Sequence, residues 1–183
     1  MTPEEAGPPV REPAGPDDLA AVEAQLGRRP RGTRFVAHRC PCGKPTVVET
    51  TPRLPDGTPF PTLYYLTCPK AVSECSRLES AGVMRDMSAR LATEPELADG
   101  YRQAHDDYLR RREAIGSVPE IDKISAGGMP TRVKCLHVLL AHALAAGPGV
   151  NPLGDEVRER VEPWWTGGPC VASAEAVAAP LAG

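Results

Sequence analysis

A chain of 183 residues, 41% of them hydrophobic, carries enough apolar material for one core and is sized for one domain. Its net charge of −3, with no long run of one sign, excludes the broad basic surface of a nucleic-acid binder, and no stretch approaches the roughly 18 apolar residues that a membrane span needs. The acidic start Met1-Thr2-Pro3-Glu4-Glu5 is the opposite of a secretory signal, so a cytoplasmic protein is expected, with its six cysteines serving as thiols, metal ligands or core residues rather than disulfides.

Residues 1–16 are proline-rich with little that is apolar and read as a disordered tail; 17–165 read as a single globular domain and 166–183 as a second, Ala/Gly/Pro-rich tail. Asp17 can cap a short helix with Leu19, Val22 and Leu26 on one face. The basic, proline-interrupted run Arg28 to Arg34 reads as a connector. Phe35-Val36-Ala37, Thr46 to Thr50 and Thr62 to Thr67 are rich in β-branched or aromatic residues and predict three strands, the last two joined antiparallel through Pro55-Asp56-Gly57. From Pro69 the period turns helical, with Val72, Cys75 and Leu78 on one face and Gly82 as a stop. A helix from Val83 to about Leu91 follows, then one with capping-box spacing at Thr93 and Glu96 that runs to Gly116. After a loop over 116–129, Pro130 is expected to open a central helix to about Ala146, apolar nearly all round, with a last helix from Gly154 to Val161 ahead of Trp164 and Trp165. The fold class expected is α+β: a small antiparallel sheet of about three strands packed with four to six helices. The scarcity of aromatics, 4%, fits a core built from helices.

Four features carry chemistry. His38-Arg39-Cys40-Pro41-Cys42-Gly43 resembles a zinc knuckle, although such turns usually place two residues between the cysteines and here there is one. Cys68, between a strand and a proline-opened helix, sits where free N–H groups favour a thiolate. Cys135 and His137 stand two apart, so a regular helix would point them to opposite sides and only an irregular backbone lets them share an ion. His142 shares a face with Cys135, two turns away. The loop Gly127-Gly128 leads into Arg132 and Lys134 and could bind an anion on backbone N–H groups, although it lacks the ending of a phosphate-binding P-loop. Cys75 reads as core and Cys170 as part of the tail. His105 with Asp106 and Asp107 reads as a surface helix edge.

The strings Arg39-Cys40-Pro41, Pro59-Phe60-Pro61-Thr62, Leu66-Thr67-Cys68-Pro69 and Lys134-Cys135-Leu136-His137, with Gly127-Gly128, resemble an uncharacterised, mainly actinobacterial family catalogued as domain of unknown function 501, over about residues 17 to 160. The resemblance implies a signature at Cys40, Cys68, Cys135 and His137, with the position of Cys42 variable; three sulfurs and one nitrogen are the ligand count of a closed zinc site. It also implies genomic neighbours in septum formation and polyphosphate breakdown. Three functions follow as expectations. The first is a metal-binding protein with zinc, or less readily an iron–sulfur cluster, on Cys40, Cys42, Cys68, Cys135 and His137. The second is a cysteine-dependent enzyme acting on a small anionic or phosphorylated substrate, with Cys68 or Cys135 as nucleophile and His137 or His142 as base. The third is a non-catalytic adaptor of a cell-division protein.

Overall fold

Four antiparallel strands lie in the order of the sequence, β1 (Pro9–Pro13), β2 (Thr33–Arg39), β3 (Pro45–Thr50) and β4 (Tyr64–Leu66), in the computed structural model, which describes residues 7–171. Six α-helices accompany them among the described residues, so the class is α+β. The three strands read from the sequence are β2 to β4. They pair as expected: Val47, Val48 and Glu49 of β3 face Leu66, Tyr65 and Tyr64 of β4. The connection turns at Gly57, whose φ of 88° needs a residue without a Cβ, and Asp56 accepts from the Thr58 N–H at 3.0 Å.

β1 comes from the segment expected to be a tail, of which residues 1–6 lie outside the described residues. An edge strand is held by backbone pairing, here Pro9 opposite His38 and Glu12 opposite Val36, and that pairing is independent of the apolar content from which the tail was inferred. Arg11 adds an ion pair of 3.1 Å to the buried Glu49 and lies 4.0 Å over the Phe35 ring.

The sheet is covered on both faces. α1 (Pro16–Leu26) lies against β3 through the fully buried Val22; Asp18, one residue on from the expected cap, accepts from the Gly15 N–H at 3.3 Å. On the other face α5 (Leu136–Ala146) touches all four strands as well as α2 (Pro69–Ser80) and α6 (Pro152–Val161). Ala37, Val47 and Leu66 join its side chains in one core. α3 (Val83–Thr93) and α4 (Pro95–Glu113) form a hairpin that adds Met87, Tyr101, Ala104 and Tyr108 to that core. The expected capping box is absent: Thr93 closes α3, and Pro95 opens α4 behind Glu94.

The central helix begins at Leu136, six residues later than Pro130. Residues 130–135 spend their backbone groups on distant partners instead. The Val133 N–H donates to Ser88 Oγ at 2.9 Å, the Lys134 N–H to the Gly127 carbonyl at 2.7 Å, and the Arg132 carbonyl accepts from the Tyr101 hydroxyl at 3.1 Å. Propensity alone, a weak prior, does not register such partners.

α5 and α6 cross at Gly154, where an added Cβ would sit 2.4 Å from the Leu139 carbonyl oxygen and 2.9 Å from the Ala143 Cβ. Gly154→Ala must push two packed backbones apart and is expected to lower stability by about 1–3 kcal/mol, read as a shift of the urea midpoint at unchanged slope.

Candidate functional site

The structure divides the five sequence-predicted metal ligands between the two ends of α2. Cys68 caps its N-terminus; Glu79, eleven residues on and about 16 Å along the axis, marks its C-terminal end.

At the N-terminal end four sulfurs meet. Cys40 and Cys42 lie in the β2–β3 hairpin, closed by the Gly43 N–H to the Cys40 carbonyl at 2.8 Å and the Cys40 N–H to the Lys44 carbonyl at 2.9 Å; Gly43 takes φ 82°. Cys68, fully buried, follows β4 directly and precedes Pro69. The fourth is Cys170, from the loop after α6. Lys70 of α2 holds that loop by donating to the Thr166 and Gly168 carbonyls at 3.0 and 2.6 Å. Gln25 of α1 donates both to Cys170 Sγ at 3.4 Å and to the Pro45 carbonyl at 2.7 Å. The thiol of Cys68 contacts the sulfurs of Cys40 and Cys170, and Cys42 contacts the same two. Backbone N–H groups also reach the sulfurs: that of Cys42 to Cys40, those of Lys44 and Cys170 to Cys42, and that of Ala71 to Cys68. Through these contacts, the one from Cys68 foremost, the Cys40 thiol is lowered to about 6, and the Cys170 thiol, with Cys68 again the largest cause, to about 5. Cys68, as the shared donor, moves far up, and burial raises Cys42.

At the C-terminal end Cys135 and His137 meet Glu79. Cys135 is the N-cap of α5, in extended backbone with φ −157° and ψ 112°, and this irregularity lets it share a side with His137. Cys135 Sγ lies 3.7 Å from His137 Nδ1, which is 3.1 Å from Glu79 Oε1, and all three ligand atoms fall within 4.8 Å of one another. Glu79 Oε1 also accepts the Leu136 N–H at 2.7 Å, so one carboxylate caps the helix and orients the imidazole. Ser76 Oγ stands 3.4 Å from His137 Nε2. Cys135 foremost, then the Glu79 charge, raise His137 to about 9 against the opposing effect of burial. All three residues are partly exposed, so a small ligand can reach them.

The remaining candidates have other surroundings. His142 is fully buried: Nδ1 accepts from Asn151 Nδ2 at 3.2 Å and Nε2 donates to Asp107 at 3.1 Å, a satisfied core histidine with no path to Cys68 or Cys135 as their base. Cys75 is core, as read, with burial pushing its thiol up to about 12. At Gly127 and Gly128 the positive φ values of 70° and 92° allow close packing on Val138 and on the Arg132 carbonyl. The Arg132 and Lys134 N–H groups donate to the Gly128 and Gly127 carbonyls rather than facing outward, while both side chains are exposed. His105 binds Ser125 Oγ at 2.8 Å.

Sequence reasoning missed Cys170, Glu79 and Gln25. Cys170 had one available signal: like Cys40 and Cys68 it neighbours a proline, and it follows the apolar anchor Trp164-Trp165.

A family profile described as "Protein of unknown function (DUF501)" matches residues 36–159. No curated protein matches the chain, and no solved structure does.

Proposed function

We propose, for a chain that belongs to this family of unknown function, that it is a metal-binding protein whose working centre is Glu79, Cys135 and His137. The supporting observation is the gathering of one oxygen, one sulfur and one nitrogen ligand within 4.8 Å, on elements far apart in sequence. Three protein ligands of this mixed kind suit zinc and leave a fourth position for water or a substrate oxygen, the arrangement of a site that does chemistry rather than one that only staples a fold. Glu79 would orient the imidazole through its second role as helix cap, and Lys134, exposed one residue before Cys135, offers an anionic substrate a cation.

Titrating the full chain with zinc against a competing chelator tests this. His137→Ala and Cys135→Ser are each expected to weaken binding at this centre at least 100-fold, and Glu79→Gln at least 10-fold, with far-ultraviolet circular dichroism unchanged. Unaltered zinc affinity in folded His137→Ala would exclude the reading.

A second reading is favoured by the Cys135–His137 contact itself: an imidazolium 3.7 Å from a sulfur at a helix N-terminus is how nucleophilic cysteines are activated. The cysteine and the carboxylate share Nδ1, whereas a triad uses both ring nitrogens, so the metal reading has the better geometry. Alkylation measured at Cys135 itself in metal-free protein, slowed tenfold by His137→Ala, distinguishes a reactive thiol.

A further inference from the structure

The sulfur cluster at the other end of α2 is separate from that centre, and its chemistry is that of a closed site. We propose that Cys40, Cys42, Cys68 and Cys170 bind one zinc ion as a tetrathiolate, and that this ion fastens the segment after α6 to the β2–β3 hairpin and to the start of α2.

The arrangement of the four residues carries the proposal. They come from three places in the chain: a two-cysteine turn, a strand-to-helix junction and a loop about 100 residues farther on. Free cysteines in a helical core normally scatter as small apolar residues, as Cys75 does. Here the sulfurs are linked in a ring of contacts, Cys40 to Cys68 to Cys170 to Cys42 and back to Cys40. Four sulfurs bonded at about 2.3 Å to one tetrahedral ion lie about 3.8 Å apart, and the ligands of a multi-iron cluster stand farther apart. One ion therefore suits the ring.

The surroundings fit an anionic ligand set. Backbone N–H groups of Cys42, Lys44, Ala71 and Cys170 lie beside the sulfurs, Gln25 donates a side-chain N–H to Cys170, and the N-terminal turn of α2 places its dipole on Cys68. Donors only, with no carboxylate among them, suit thiolates and would be wasted on thiols. As zinc enters, each Zn–S bond replaces an S–H bond and the proton passes to solvent, with no change of oxidation state.

Cys170 lies beyond residues 36–159, the range of the family match, so the fourth ligand belongs to this chain's own C-terminal segment. Without it, Cys40, Cys42 and Cys68 would leave a zinc ion one ligand short and open to exchange.

The test uses the full chain carrying Cys135→Ser and His137→Ala, which removes the mixed-ligand centre and leaves the tetrathiolate. Purified without air, it is expected to hold one zinc per chain, with X-ray absorption giving four sulfurs near 2.3 Å and no nitrogen shell. Adding Cys170→Ser should lower zinc affinity at least 100-fold, while Cys75→Ser leaves it unchanged. If the double variant does not fold, wild-type chain is compared with Cys170→Ser alone, which should lose one zinc and keep the other. The proposal is overturned by zinc retention indifferent to Cys170→Ser, by a mixed nitrogen and sulfur shell in the double variant, by iron–sulfur absorption, or by a disulfide among these four residues in place of metal.

Discussion

Arg112→Met is expected to lower the unfolding free energy by about 3–5 kcal/mol, close to the whole stability of a marginal domain. Arg112 is 2% exposed, and its guanidinium donates to three carbonyls, those of Pro61 at 3.0 Å, Ile124 at 2.6 Å and Ile121. Burial lowers its pKa, yet a guanidinium stays charged. Methionine fills similar space but leaves three buried acceptors without partners, each costing about 1–3 kcal/mol with partial relief from relaxation. Arg112→Lys should recover less than half of the loss, because one ammonium cannot reach three carbonyls spread over a planar fork. Equilibrium urea unfolding measures both. The consequence reaches the mixed-ligand centre: Arg112 ties down the loop over 116–129, and the Lys134 N–H is bonded to the Gly127 carbonyl one residue before Cys135. Faster amide exchange in that loop should accompany the lost stability.

What could be read from residues alone divides along the same line. The strands β2 to β4 and the apolar helix α5 were legible because periodicity and β-branching are local properties. The junction at Cys68 was legible too, since a strand running into a proline-opened helix leaves little choice. By contrast, Glu79 looks like any polar residue at a helix end, and its role exists only because α2 passes the start of α5. The late start of α5 was hidden for the same reason: Ser88 and Tyr101 take its backbone groups from another part of the chain. That irregularity is also what allows Cys135 and His137 to meet, the condition that spacing alone had set. Cys170 was set aside because low apolar content reads as a tail, whereas Lys70, Gln25 and a sulfur cluster can order a polar loop as well as a core does.

Asp107→Ala is expected to remove about 3–4 kcal/mol and to change how the protein responds to acid. Asp107 receives His142 at 3.1 Å and Arg111 at 2.6 Å, and Arg110 closes on its other oxygen. Burial acts to raise the carboxyl, but His142 and the arginine outweigh it and bring it from 3.8 to about 2. A carboxylate depressed in the folded state contributes stability that is fully present above 3.8 and is lost as pH falls towards 2, about 2 kcal/mol in all. His142 is depressed as well, by burial foremost and against the pull of Asp107. For a base the unfolded chain then takes up the proton first, so its contribution falls away as pH drops below about 6.5. Wild-type stability should therefore decline in two stages on acidification, the first below 6.5 and the second below 3.8. Asp107→Ala should shrink the second stage to what Asp18 and the surface carboxylates Asp56, Glu94 and Glu120 contribute, and leave the Nε2 proton of His142 without a partner in the core. Asp107→Asn keeps an acceptor for that proton and loses only the arginine pairing, so it should cost about half as much. Urea unfolding from pH 8 to pH 3 separates these cases, and an alanine variant that retains the wild-type acid slope would show that the His142–Asp107 pair does not govern it.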